Sequence, residues 1–443
     1  MAYDLLIRGG TLVTDKRSFE ADLAILGDRI AAIGQNLGDA KEVLDARDLW
    51  VFPGMVDSQV HFREPGLTHK EDIESGTRAA LLGGVTTVLE MPNTHPATTT
   101  PEALADKIAR TRGRAWCDIG FFYGATSENA ETLEEAENLP GVPGIKMFVG
   151  SSTGSLLVGE DEAIRRVLQH GRRRVAIHSE DEARNVERKQ IFAERAVGNV
   201  AWHPTIRDAE SARLSTQRVL TLSEETGRPV HILHISTRDE LPLLADAKRK
   251  GLGTTCEVTP QHLWFAGAED YDRLGSRIQQ NPPVRGKEHR EALWTALETG
   301  LFDVFGSDHA PHTLEEKAQP YPSSPSGMPG VQTMLSVLLT YVAQGRLPAT
   351  EVSRMACQNP ARLFGMTDRG VLAEGYLADL TLVDPNVTRE VEASMLASRC
   401  GWSPWEGKRL TGWPIAVLKG GQFAMREGQT VGGPLGGVPV FGR

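Results

Sequence analysis

The residues of this 443-residue chain best suited to chemistry sit at the ends of short apolar runs: His61, Lys146, His178, His234 and Asp308. Imidazole and carboxylate are the ligands a zinc-like ion prefers among these side chains, so five strand ends aimed at one spot would build a metal-activated hydrolytic site. Lys146, in Gly144-Ile145-Lys146-Met147-Phe148, is the odd member, because an ammonium cannot bind a cation. It is either a core-facing, salt-bridged lysine or one carboxylated by carbon dioxide, whose new carboxylate could bridge two metals. Taken singly, each histidine is more often a satisfied structural residue than a ligand, and the joint pattern carries the weight. His69, His95, His170, His203 and His289 lie outside the strand ends and read as core or surface residues. Gln59-Val60-His61 has the spacing of a His-x-His pair with glutamine in the first place, and a neutral amide oxygen is a poorer zinc ligand than imidazole.

The elements that must position these residues follow one repeating pattern. A β-branched run stops at a polar residue, and a turn and a helical stretch follow. The eight runs are 56–61, 85–93, 119–123, 145–148, 175–178, 230–234, 254–257 and 304–308. Helical stretches at 71–82, 102–111, 161–170 and 211–226 alternate with them, as parallel βαβ units do. Eight units predict an α/β fold, a TIM-like (β/α)8 barrel over 55–365, whose catalytic face is the end where the polar residues collect. An open doubly wound sheet would also place polar residues there, but no Gly-x-Gly-x-x-Gly follows a strand. Residues 1–54 and 366–443 alternate short strands with Gly and Asp turns, and read as one small β-sandwich built from both chain termini. The Gly-rich tail from Gly432 to Gly437 reads as a flexible end, and Arg172-Arg173-Arg174 as a solvated helix end.

A net charge of −10 leaves no dominant basic face, which argues against nucleic acid or an anionic membrane as the main partner. No run approaches the ~18 to 20 apolar residues of a membrane span, and the start lacks a signal-peptide pattern, so a cytoplasmic protein is expected. Cys117, Cys256, Cys357 and Cys400 are scattered without a C-x-x-C spacing and read as buried or incidental thiols. Gly150-Ser151-Ser152-Thr153-Gly154 matches the nucleophile-elbow pattern, but no helix follows it directly, and a turn of small residues is the better reading.

Longer motifs add a family. Phe62-Arg63-Glu64-Pro65-Gly66, Glu90-Met91-Pro92-Asn93-Thr94, Asp308-His309-Ala310-Pro311-His312, Asn359-Pro360-Ala361 and Ala373-Glu374-Gly375 together resemble the amidohydrolase superfamily. Within it the chain is similar to the dihydroorotases, which interconvert dihydroorotate and N-carbamoyl-L-aspartate in pyrimidine synthesis. The alternatives are a hydantoinase- or allantoinase-like cyclic amidohydrolase, or an impaired dihydroorotase-like subunit that serves assembly beside aspartate transcarbamoylase.

The resemblance implies a metal set of His61, Lys146 as its N-carboxylated form, His178, His234 and Asp308, holding one or two Zn2+ ions. Asp308 would also be the general acid/base. Arg63 and Asn93 would hold the substrate carboxylate, His312 would add a contact, and Asn281 would bind the ring edge or merely order the turn before Pro282-Pro283. Ser326 and Gly327, in the long proline-rich segment from His309 to Gly330, would close over the ring. In the family pattern both histidines of the first strand hold the more exposed metal, so Gln59 leaves three outcomes: two metals, one held by Lys146, His178 and His234, or none. The resemblance also implies a small-molecule substrate and a homo-oligomer, a dimer or tetramer.

Overall fold

The computed structural model describes residues 2–151 and 156–442. The nucleophile-elbow pattern therefore lies partly outside the described residues, its serine, Ser152, included.

Eight strand positions form the barrel. Met55–Val60, Val85–Glu90 and Asp118–Phe121 make one parallel set. Tyr123–Gly124, Ile145–Phe148, Val175–His178, Val230–Ile232, Thr255–Val258 and Val304–Phe305 make the other. The third run is broken only at Phe122, whose N–H donates to Glu90 O at 2.9 Å and keeps the two sets together. On the other side the ring closes through a bridge between Val60 and His309, with His61 N donating to His309 O at 2.7 Å. Every residue of these strands is buried, which is why they appear in sequence as continuous apolar runs rather than alternating ones.

The helices begin where their sequences supply caps. Asp72 forms a capping box with Ser75 ahead of Ile73–Leu82, Thr100 precedes Pro101–Thr111, and Asp208 caps Ala209–Thr226. The last of these ends on Gly227 in the left-handed region, φ 71°. Strands from both ends of the chain share a nine-stranded sheet in which Trp50–Pro53 pairs with Leu380–Glu390, and this β-sandwich part carries its own apolar cluster.

The end of the barrel remote from the strand-end histidines is locked electrostatically. Lys419 Nζ lies 2.8 Å from both Asp118 and Asp379, and Arg369 joins the same buried group, tying the third barrel strand to the sheet. Two expectations change here. The Gly-rich tail is not a flexible end: Ile119 N donates to Gly437 O at 2.9 Å, Gly436 N to Ala115 O at 2.8 Å, and Phe441 is buried. A Cβ on Gly436 would stand 2.0 Å from Cys117 O, so only glycine lets the backbones approach this closely. Of the arginine run only Arg172 is exposed to solvent, because Arg173 binds Val142 O at 2.6 Å and Phe441 O at 3.1 Å, while Arg174 binds Val230 O at 3.0 Å. Both features are stitched by backbone carbonyls that local sequence does not reveal. All four cysteines are buried, and among the described residues no helix is long and apolar enough to cross a membrane.

Candidate active site

The strand ends bring together most of the residues expected to act. Gln59, His61, Arg63, Lys146, His178, His234, Asn281, Asp308, Ser326 and Gly327 line one small cavity, with Phe148 and Ala310. Asn93 and His312 stand one contact behind it. Asn93 Oδ1 accepts from His61 Nδ1 at 2.7 Å, and His312 Nε2 lies 3.2 Å from the Arg63 guanidinium.

Backbone strain is concentrated at this spot. Among the described residues six non-glycine positions have positive φ, and three of them are Arg63 (62°), His234 (37°) and Asp308 (44°). Such conformations persist where the surroundings over-determine them, and they commonly aim functional side chains. For Asp308 the surroundings include His309, whose Nε2 donates to Glu71 at 3.3 Å and whose Nδ1 accepts from Gly330 N at 3.1 Å. Glu71 also accepts from Ser398 Oγ and, at 3.1 Å, from Arg399 N, so the late segment braces the catalytic strand end. Trp402 does the same for the next turn, its indole N–H reaching His312 O at 2.8 Å.

The histidine tautomers are set from outside. His178 Nε2 donates to Glu180 at 3.0 Å, which leaves the Nδ1 lone pair pointing inward, 3.1 Å from His234 Nε2. His61 Nδ1 donates to Asn93, leaving its Nε2 lone pair 3.3 Å from Asp308 Oδ1. Burial lowers the pKa of all three rings, with Arg63 and Lys146 adding to the effect at His61, so they are neutral, as metal ligation requires. Glu180 remains ionised although burial opposes its charge, because Arg207 and His178 outweigh it.

Asp308 and Lys146 are both held near neutrality. Burial, helped by the charge of Glu257, pushes Asp308 up to about 7 against Lys146, His178 and Arg63. Burial likewise brings Lys146 down to about 7, against the pull of Asp308 and Glu257. Lys146 is 1% exposed and its amine has no hydrogen-bond partner among the described residues, which argues against the salt-bridged reading and leaves it 4.4 Å from the centre of the Phe148 ring. Gln59 lines the cavity and engages Asp308 through its amide nitrogen. Its Nε2 donates to Asp308 Oδ1 at 3.0 Å, and its buried Oε1 is unpartnered.

This donor set fits a cation. Nitrogens bound to one tetrahedral zinc at ~2.0–2.1 Å stand ~3.3–3.4 Å apart, close to the separation of the His178 and His234 nitrogens. Among the described residues, however, no three His, Cys, Asp or Glu side chains converge tightly enough to hold a metal by themselves. The remaining candidate donor is Lys146, whose orphaned amine would have to become a carboxylate.

The amidohydrolase family's sequence model matches residues 50–424 of the chain. The chain belongs to the amidohydrolase family. It is 39% identical over 393 residues to a dihydroorotase of Halobacterium salinarum, covering 87% of this chain and 89% of that one. It is also 34% identical over 455 residues to an allantoinase of Rubrobacter xylanophilus, covering 98% and 97%. Among solved structures, the L-hydantoinase (dihydropyrimidinase) of Arthrobacter aurescens superposes with a TM-score of 0.93 at 28% identity, over 98% of this chain and 99% of that one. The barrel, the β-sandwich and the assignment as a cyclic amidohydrolase all follow from these matches.

Sequence reasoning missed several residues that position the site. His203, read as an ordinary core histidine, is buried and lies 3.0 Å from Asn281 Oδ1, so it orients a cavity residue. Glu180 was within reach, since a carboxylate two residues after a candidate ligand is a recurrent partner for its other nitrogen. Glu71, Arg207 and Trp402 gave no local signal.

Proposed function

We propose that the protein is a dihydroorotase, hydrolysing the ring amide of dihydroorotate to N-carbamoyl-L-aspartate and running the reverse reaction in pyrimidine synthesis. The observation that carries this reading is Arg63. Its guanidinium is 1% exposed, faces the cavity and is braced by Pro311 O at 3.2 Å and by His312. Burial lowers its pKa only to about 10, so it keeps its charge at neutral pH. Dihydroorotate carries a carboxylate for such a group to bind, whereas hydantoin and allantoin are uncharged rings.

In this reading Arg63, with Asn93 behind it and His312 beside it, orients the substrate through its carboxylate. Asn281 meets the ring edge, and Ser326 and Gly327 cover the face. His61, His178, His234, Asp308 and Lys146, the last as its carboxylated form, would hold one or two zinc ions. A bound zinc ion supplies a water of lowered pKa and polarises the carbonyl. Asp308 takes up the proton released during attack and delivers it to the departing ring nitrogen. A carboxyl poised near 7 is matched to giving and taking a proton at neutral pH. Because Gln59 gives Asp308 a hydrogen bond in place of a second histidine, we read the His61–Asp308 side as the weaker metal position.

The deciding experiment measures metal per chain together with turnover of dihydroorotate, hydantoin and allantoin. Turnover of either neutral ring without dihydroorotate would sink the substrate assignment. Folded protein with neither metal nor turnover of any of the three would sink the catalytic reading and favour an assembly subunit.

A further inference from the structure

The loop that brings Ser326 and Gly327 to the cavity is held from behind by a lysine that the chemistry above does not use. Lys317 ends the short helix Leu314–Lys317 and is 1% exposed. An ammonium has three N–H donors, and three backbone carbonyls receive them: Pro325 O at 2.8 Å, Gly327 O at 2.9 Å and Gln279 O at 3.1 Å. Among the described residues no carboxylate pairs with it. Its neighbour Glu316 turns the other way, towards Lys70 and His312.

Burial draws the Lys317 pKa down to about 7 while its three carbonyl acceptors favour the charged form, so an apolar side chain would fill this space more cheaply. What the ammonium does that a methyl group cannot is hold three carbonyl oxygens that converge on one point and otherwise repel. Those carbonyls belong to the two walls of the cavity. Gln279 precedes Asn281 by two residues, and Pro325 and Gly327 flank Ser326. The same rivet includes Gly327 N donating to Gln279 O at 2.8 Å and Ser324 Oγ donating to Gln279 Oε1 at 2.7 Å. Gly327 has φ 137°, and a Cβ there would meet Ala310 O at 2.4 Å, so only glycine lets the wall run this close to Ala310.

We propose that Lys317 is a positioning residue of the substrate pocket: its caged ammonium locks Ser326 and Gly327 to the Gln279–Asn281 segment and sets the opening the cyclic amide must fit. This rests on the reading that Asn281, Ser326 and Gly327 meet the substrate.

The test is Lys317→Met, which keeps the reach of the side chain and removes the donors. It is assayed on whichever of dihydroorotate, hydantoin or allantoin the wild type turns over best. KM should rise about tenfold or more while kcat stays within about threefold, the signature of lost binding geometry rather than lost chemistry. In the same protein the Gly327 amide should exchange with deuterium about tenfold faster, with the barrel-strand amides unchanged. A folded variant that is less stable but keeps KM and Gly327 protection overturns the proposal and makes Lys317 structural only. Should Lys317→Met not fold, Ser324→Ala removes one bond of the same rivet. A KM increase of about threefold supports the proposal, and an unchanged KM overturns it. Wild-type preference for hydantoin or allantoin removes the substrate assignment and leaves this test in place. If the wild type turns over none of the three, Gly327 exchange decides alone.

Discussion

On one side of the cavity His178 and His234 face each other nitrogen to nitrogen at 3.1 Å, and behind His178 stands Glu180, itself ion-paired to Arg207. On the other side His61 meets Asp308 at 3.3 Å, and the Gln59 amide already donates to the same carboxylate oxygen at 3.0 Å. The first side has an inward lone pair on His178, its direction fixed by a charged partner. The second offers a carboxylate whose inner oxygen is partly satisfied. A cation at the first side displaces one hydrogen bond between two neutral rings, and at the second it competes for a carboxylate oxygen already bonded to Gln59. In the proposed reading the difference teaches that a glutamine beside a ligand histidine need not empty a site and would shift Asp308 from ligation towards proton transfer.

That contrast can be broken in several ways. Asp308→Asn keeps the shape and removes the base, so turnover should fall by roughly 10²- to 10⁴-fold while metal stays bound on the His178 side. Turnover within tenfold of wild type would end the acid/base assignment. Glu180→Gln should weaken metal affinity about 10- to 100-fold, measured by competition with a chelator, whereas Gln59→Ala should not. Equal losses would erase the asymmetry. Arg63→Lys should raise KM for dihydroorotate about tenfold, since a point charge replaces a planar fork.

The Lys146 prediction concerns pH. Its folded pKa lies below the ordinary lysine value, so the neutral amine that reacts with carbon dioxide is present above about 7 and lost as pH falls through that value. In metal-free protein at fixed dissolved carbon dioxide, the carbamate signal from 13C-labelled carbon dioxide should drop about fivefold between pH 7 and pH 6, following the neutral-amine fraction. A flat response would mean that Lys146 is not the reacting amine. The smallest effect on turnover is expected from Gln59→His, which should add up to about one metal ion per chain and change the rate only a few-fold. Unchanged metal content would show that Gln59 is no vacancy in the ligand set.

The barrel was legible because its strands are short, β-branched and buried on both faces, so each run stops visibly at a polar residue. Ile145–Phe148 and Val175–His178 coincide with their expected ranges. The supports of the site were not legible. Glu71 and Ser398 are 327 residues apart, His312 and Trp402 are 90 apart, and no local pattern links either pair. The glycine tail looked loose, because its partners, Ala115 and Ile119, lie elsewhere in the chain.

By itself the sequence determined which chemical groups stand at the strand ends, since the length of each apolar run and the residue that ends it fix where a buried parallel strand stops and what it presents. Only the tertiary structure decided that the Gln59 amide turns its N–H to Asp308, that the inward lone pairs belong to His61 and His178, and that Asp308 and Lys146 both sit near 7. The physical reason is that desolvation and hydrogen-bond direction are properties of the closed shell around a group, contributed by residues from every part of the chain.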